Sequence, residues 1–440
     1  MNIYALSSGR GPSGIAIIRL SGKDTIKTAK LISKKKDLNT KEVNFCKFYN
    51  PADNSLIDEG LLLLFPAPNS FTGDNLVEFH IHGSNAVITY FLKVLSEQPN
   101  CRLAEPGEFT KMAFQNNKID LLEAESIGDL INSETELQRQ QAIKIVQGNA
   151  SNYYNNLREK LVKSLAYIEA QIDFAEDDLP DSVLKEVTKT IKEVHNEIKK
   201  ILDNNKVGEK IRDGFRVAII GEVNAGKSSL LNLLSKREVA IVSEEEGTTR
   251  DVIETYLNID GYPVILADTA GIREAKSEVE KKGIILALNR SKDADLNLIV
   301  IDNSSKQLDK NIQSLINENC IVVLNKSDIN NKLKHDFKDA ILVSVKENKN
   351  IDELIKKIKE KLSSKFLISQ NILITRERHR VKLNECLKEI DNFLKKDQKK
   401  DIEMAAEDLR LATRHLGGIV GKVDVEEILG SIFKDFCIGK

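Results

Sequence analysis

Tryptophan is absent from the 440 residues, and phenylalanine and tyrosine bring the aromatic share to only 5%. So few rings argue against platforms on which single-stranded nucleic acid stacks its bases. Charge of one sign is lacking too. Lysine and arginine (65) nearly balance aspartate and glutamate (67), for a formal net charge of −2, which excludes a global basic field for RNA or membrane. A nucleic-acid contact would have to come from a local patch. Lys34-Lys35-Lys36 is one candidate, with a solvated loop as its plainer reading. No apolar run is long enough to span a bilayer, and the N-terminal MNIYALSSGRG lacks the basic-then-apolar pattern of a secretory signal. Cys46, Cys101, Cys320, Cys386 and Cys437 show neither CxxC nor zinc-ligand spacing, as reduced thiols would. These absences predict a soluble, cytoplasmic protein with no membrane association.

What is present falls into three textures, and the length predicts two or three domains. Residues 1–118 read as mixed α/β, with short apolar runs (GIAIIRL at 14–20, EGLLLLF at 59–65, LVEFHI at 76–81) between Gly/Pro/Asn-rich turns. Residues 119–210 read as helical. Leu157, Leu161, Leu165 and Ile168 form one amphipathic stripe, and Val183, Val187, Ile191, Val194, Ile198 and Ile201 form another. The polar DNNKVGEKIRDG (203–214) reads as a linker. From 211 to 368 the pattern is of buried strands separated by helices: FRVAII (215–220), PVILAD (263–268), LNLIVID (296–302), CIVVLN (320–325) and AILVSV (340–345). That alternation belongs to a parallel sheet covered on both faces. Residues 369–440 return to helix, with Leu383, Leu387, Ile390 and Leu394 in register. The expected fold is multidomain, α/β plus all-α, with the α/β unit inserted in a discontinuous helical domain.

The inserted unit carries four motifs in order at strand ends. Gly221-Glu-Val-Asn224-Ala225-Gly226-Lys227-Ser228 matches GxxxxGK[ST], followed by Ser229 and a helical segment. Its backbone N–H groups would wrap phosphates, Lys227 would neutralise the β- and γ-phosphates, and Ser228 would ligate Mg²⁺. Gly247-Thr248-Thr249 places Thr249 to complete the Mg²⁺ shell. Asp268-Thr269-Ala270-Gly271 offers an aspartate to the metal's water and a glycine N–H to the γ-phosphate. Asn325-Lys326-Ser327-Asp328 supplies a carboxylate for the guanine N1–H and 2-amino group, which adenine cannot reproduce, and Ser344-Val345-Lys346 closes over the base. Together they imply a GTP site. Ile272 stands where Ras-like enzymes place a water-orienting glutamine. Glu280 is one carboxylate within reach, a solvated helix face being its other reading; Arg250 reads equally as a finger in cis or a surface residue.

Further residues keep two readings each. Glu78, His80 and His82 alternate along one strand face, as a metal set or as ordinary rim residues. Cys437 could be a reactive thiol or a small buried side chain.

The blocks GEVNAGKSSLLN, VSEEEGTTRDV, DTAGIREA and NKSD, with GRGPSGIAIIRLSG, FPAPNSFTGDNLVEFHIHG, AEPGEFTKMAFQNNKIDLLEAE and the terminal CIGK, resemble the MnmE (TrmE) family of tRNA-modification GTPases. The resemblance spans essentially the whole chain. It implies a folate-binding N-terminal domain that dimerises, a discontinuous helical domain and a G domain. Activity would be GTP hydrolysis, in a homodimer working with the flavoprotein MnmG (GidA) on the wobble uridine C5 of tRNA. The product would be a carboxymethylaminomethyl or aminomethyl group, with its carbon from 5,10-methylenetetrahydrofolate or 5-formyltetrahydrofolate. By motif, Arg19, Glu78, Lys118 and Lys440 would contact folate. Asn224 and Thr248 side chains with Ser243 and Glu245 carbonyls would hold K⁺, and Glu244 and Glu246 would join the nucleotide contacts. Glu280 would orient water, acting with Lys227 and Thr249. The chain departs from the family pattern at Glu222-Val223, where Arg-Pro is common, at Ser84, where a second glycine is usual, and at Ser-Val-Lys, where Ser-Ala-Arg or Ser-Ala-Lys is typical.

Overall fold

The structure, a computed structural model, describes residues 1–9, 11–40, 42–173, 181–203, 206–222, 224–237, 240–241, 254–268, 291–305, 310–329, 337, 339–365, 372–397, 400–423, 432–433, 436 and 439. The chain divides into two compact units. One comprises Met1–Gly128, Ser151–Arg158 and Thr413–Lys440; the other comprises Asp129–Ala150 and Glu159–Ala412.

The first unit is built on six strands: β1 (Asn2–Leu6), β2 (Ser13–Ser21), β3 (Asn44–Tyr49), β4 (Leu56–Phe65), β5 (Leu76–Gly83) and β6 (Cys101–Leu103), in the order β3-β4-β5-β2-β1-β6. All pairings are antiparallel except β1 with β6. Strict alternation sends Phe48, Leu62, Val77, Phe79, Ile81, Ile18 and Leu20 to one face. There they pack with Ala29 and Ile32 of helix Thr25–Ser33 and with Phe91, Val94 and Leu95 of helix Asn85–Ser96. Phe48, Phe79 and Phe91 meet with ring centroids 5.0–5.6 Å apart, so three of the few aromatics make one cluster. Ser84, the departure from the family's glycine, is the N-cap of helix Asn85–Ser96, accepting from the Val87 N–H at 3.2 Å. The C-terminal segment closes on this unit. Gly439 (φ 102°) lies so near β1 that a Cβ would stand 2.1 Å from the Leu6 carbonyl oxygen, and its own carbonyl accepts from Ser7 Oγ at 2.7 Å. Phe433 and Phe436 bring their rings together with centroids 5.6 Å apart and set their Cβ atoms against Gly107, the Phe436 ring lying against Gly128.

The second unit holds seven strands: β7 (Phe215–Gly221), β8 (Ala240–Ile241), β9 (Glu254–Ile259), β10 (Tyr262–Asp268), β11 (Leu296–Asp302), β12 (Cys320–Asn325) and β13 (Ile341–Leu342), in the order β13-β12-β11-β7-β10-β9-β8. The expected parallel sheet is present from β13 to β10. β9 and β8 extend it antiparallel. Continuous apolar runs such as LNLIVID are buried throughout, because helices cover both faces: helices Lys227–Arg237 and Ile351–Lys365 cover one, and Ile312 and Leu315 lie over the other.

Segment 203–214, expected as a linker, contains a helix, Val207–Asp213. Its charged composition hid two buried apolar residues, Val207 and Ile211, and a carboxylate buried by pairing. Glu209 accepts two hydrogen bonds from Arg380, Nε to Oε1 at 2.9 Å and Nη2 to Oε2 at 2.8 Å. Lys210 pairs with Asp295 at 2.9 Å. Arg212 reaches Asp129 at 3.0 Å, and Arg376 reaches the same oxygen at 2.7 Å. Gln138 and Gln141 donate to the carbonyls of Arg212 and Gly208, each at 3.0 Å. The chain therefore enters β7, and so the phosphate loop, from a clamped segment.

Candidate functional site

β7 ends at Gly221, whose neighbour β11 comes so close that a Cβ would stand 2.0 Å from the Val300 carbonyl oxygen. The loop then turns through Asn224 (φ 64°) and Gly226 (φ 96°) into helix Lys227–Arg237. Lys227 Nζ donates to the carbonyls of Gly221 (2.9 Å) and Glu222 (2.7 Å), which holds the ammonium across the mouth of the loop. Asn224, Ser228 and Ser229 are exposed, and Ala225 is buried. The Ser228 hydroxyl makes no hydrogen bond among the described residues, so its lone pairs suit a hard cation such as Mg²⁺. Asp268 ends β10, beside β7.

At the end of β12, Asn325 is 3% exposed and ties three segments together. Its Nδ2 donates to the Ala225 carbonyl in the phosphate loop at 2.8 Å, and its Oδ1 accepts from the Val345 N–H at 3.2 Å. Gly226 makes this possible, because a Cβ there would come 2.2 Å from Asn325 Nδ2. Three residues on, Asp328 Oδ1 accepts from the fully buried Ser344 hydroxyl at 2.6 Å. That bond, supported by a backbone hydrogen bond, is the main reason its carboxyl lies below the ordinary aspartate range; Lys346 and Lys326 add to it. The Ser344 oxygen also accepts from the Glu347 N–H at 3.1 Å. Ser327 N–H donates to the Val343 carbonyl at 3.0 Å. The arrangement offers an ionised carboxylate, exposed and already oriented, beside a loop of backbone N–H groups.

The sequence reading missed Asp302. It ends β11 opposite Asn325 and pairs with Lys326 Nζ at 2.6 Å. Burial alone would raise its carboxyl, but hydrogen bonds from Lys326 and Ser304 outweigh that and hold it low. Its signal was a carboxylate closing the apolar run LNLIVID one strand from the Asn-Lys-Ser-Asp motif.

In the first unit, the outward face of β5 carries Glu78, His80 and His82, while Val77, Phe79 and Ile81 point inward. Arg19 stands opposite Glu78 in register, its Nε 2.8 Å from Oε1. His80 Nε2 lies 3.4 Å from Oε2. His82 turns away to Asp58, with Nδ1 at 2.8 Å and its backbone N–H donating at 2.7 Å. Glu78 and His80 thus meet each other while His82 takes Asp58, and among the described residues no cluster suited to a metal ion occurs. Lys118 Nζ donates to the Pro68 carbonyl at 3.0 Å. Arg19, Glu78 and Lys118 are engaged with protein groups in this structure, not held open.

Ser243, Glu244, Glu245, Glu246, Gly247, Thr248, Thr249, Arg250, Thr269, Ala270, Gly271, Ile272, Glu280, Cys437 and Lys440 lie outside the described residues. Cys46, Cys101, Cys320 and Cys386 are free thiols. Burial pushes the Cys386 thiol far up. Among the described residues no helix is long and apolar enough to cross a membrane.

Comparison with known proteins matches both regions. The family described as "GTP-binding protein TrmE N-terminus" matches residues 2–118, and the "MnmE helical domain" matches residues 121–437. A tRNA modification GTPase MnmE from Pelagibacter ubique is 59% identical over 443 residues, covering 100% of both chains. Another from Rickettsia bellii is 43% identical over 450 residues, covering 100% of this chain and 99% of its own. A third, from Parvibaculum lavamentivorans, is 43% identical over 442 residues with the same coverage.

Proposed function

This chain belongs to the MnmE family of tRNA modification GTPases, and from that premise we propose that its GTP hydrolysis drives modification of the wobble uridine C5 in tRNA. The group built there is carboxymethylaminomethyl or aminomethyl, its carbon supplied by 5,10-methylenetetrahydrofolate or 5-formyltetrahydrofolate. The chain acts as a homodimer with the flavoprotein MnmG. Its domains are 1–118, 119–210, 211–368 and 369–440.

One observation carries the nucleotide half of this reading: Asn325 bonds the phosphate loop while Ser344 orients Asp328. Asp328 accepts from the guanine N1–H and 2-amino group. Discrimination follows because a base lacking those donors leaves the carboxylate unpaired. On nucleotide binding Lys227 exchanges the Gly221 and Glu222 carbonyls for the β- and γ-phosphates. Ser228 and Thr249 hold Mg²⁺. Asn224, Thr248 and the carbonyls of Ser243 and Glu245 would hold K⁺, which when bound would supply the positive charge an arginine finger otherwise brings. Glu280 orients the attacking water.

The folate half rests on the outward β2–β5 face. Arg19 and Glu78 form a partly buried ion pair, and a pterin that offers amino donors to Glu78 competes for its oxygens. Lys118 and Lys440 complete the contacts. Calorimetry of the full-length protein with 5-formyltetrahydrofolate, without GTP, tests this half. Saturable heat is expected, reduced at least about tenfold in affinity by Glu78→Ala through loss of a charged hydrogen bond. No heat and no thermal stabilisation at saturating folate would leave a GTPase without a folate role.

A further inference from the structure

Helix Asp181–Leu202 presents an outer surface on which lysines outnumber acids. Leu184, Val187, Ile191, Val194, Ile198 and Ile201 form its buried stripe, packed along helix Glu377–Lys395. With 3.6 residues per turn, the outward half of the helix carries Lys185, Lys189, Lys192, Asn196, Lys199 and Lys200, with Glu186 and Glu193 beside them, all exposed. The acids Glu186, Glu193 and Glu197 line one side of the lysine ridge. Glu197 is engaged by Lys160 at 3.1 Å, and on the other flank His195 pairs with Asp391 at 3.1 Å. None of the five lysines makes an ion pair or hydrogen bond among the described residues, although Lys189 and Glu193 stand at the i,i+4 spacing where one could form. A chain of net charge −2 therefore gathers five lysines, outnumbering the two exposed acids beside them, along a ridge about 22 Å long.

We propose that this lysine ridge docks the phosphate backbone of an RNA, the tRNA of the proposed function, on which reading the inference rests. Three features select RNA over an acidic protein. The ridge has no apolar or aromatic residue to form the dry centre of a protein interface, where lysine is depleted. Ammonium groups on flexible stems are point charges suited to phosphates spread along a strand. The absence of rings fits contacts that position a backbone without reading bases. The ridge thus supplies the local patch that the balanced composition requires.

The test measures full-length protein binding to unmodified tRNA as a function of salt. The ridge variant is Lys185→Gln with Lys189→Gln and Lys192→Gln. Its control, Lys23→Gln with Lys27→Gln and Lys47→Gln, removes the same charge from exposed positions elsewhere. Each phosphate-bound lysine contributes about one unit to the log–log salt slope. The ridge variant is expected to lose about 2–3 units of slope and at least roughly tenfold in affinity at low salt. GTP turnover should stay at the wild-type rate, and the control should bind tRNA like wild type. Wild-type binding with a ridge variant equal to the control would overturn the ridge and leave the tRNA reading standing. No salt-dependent tRNA binding by wild type would overturn both. A ridge variant that keeps tRNA affinity but loses association with the flavoprotein would make the ridge a protein-docking surface, against the proposal.

Discussion

Asp328 concentrates the choice of base in one carboxylate, and Ser344 decides where that carboxylate points. Asp328→Asn replaces an acceptor pair by one acceptor and one donor. The donor meets the guanine 2-amino group head-on, but suits the 2-oxo group of xanthine. GTP affinity is expected to fall by orders of magnitude and xanthosine triphosphate to be bound in its place, measured by titration with both nucleotides. Unchanged GTP affinity would remove Asp328 from the base site. The carboxyl already lies below its ordinary range, chiefly through the Ser344 hydroxyl, so it stays ionised and accepting throughout neutral pH. At this scale the sequence was most readable where a motif names both residue and spacing, as in Gly-x4-Gly-Lys-Ser and Asn-Lys-Ser-Asp. It was least readable where partners are distant in the chain. Nothing local indicates that Asp302 meets Lys326, or that Glu78 is taken by Arg19 and His80.

Helix Val207–Asp213 shows how an element can be hidden by its own contacts. Charge made 203–214 look solvated, yet Glu209 and Arg380 are nearly buried together, with side chains 9% and 11% exposed. Removing one partner leaves the other charge unpaired in a poorly hydrated place. Arg380→Met is expected to cost about 3–5 kcal/mol, read from urea denaturation of the full chain. Adding Glu209→Gln should recover much of that loss, because the pair itself contributes little once desolvation is counted. Additive losses in the double variant would mean the two groups act independently. Other elements shifted for equally local reasons. AILVSV keeps only two residues of strand because Ser344 leaves the β12 ladder to bridge to Lys349. In helix Asn149–Asp173 Ser164 is buried while Leu165 is only partly so, its hydroxyl satisfied by the Lys160 carbonyl at 2.9 Å, which a purely apolar periodicity cannot register.

For the whole molecule, the proposed cycle requires an electropositive group at the transition state, and the residue directly after Gly271 is Ile272, not glutamine. GTP turnover compared in potassium and in sodium at equal ionic strength is the measurement. Fast turnover is expected for wild type in potassium alone, by a factor on the scale of the roughly 10³–10⁵ that an arginine finger contributes. Asn224→Ala should be slow in both salts, and Glu280→Ala slow in both with normal GTP affinity. Equal wild-type rates in the two salts would dismiss the cation. A fully active Glu280→Ala would return that residue to a solvated helix face.

The seating of Gly439 against Leu6 and Ser7 also sets a timetable for biosynthesis. The first compact unit contains both Met1–Gly128 and Thr413–Lys440, so its opening strands leave the ribosome long before the residues that close over them. At about 5–20 residues per second, the wait is roughly fifteen seconds to a minute. During it the C-terminal end of β1 and the Gly107 surface that Phe433 and Phe436 later cover stand open in the nascent chain. The inserted nucleotide domain, contiguous and finished earlier, can complete its core first, so the part of the protein made first is the part that matures last.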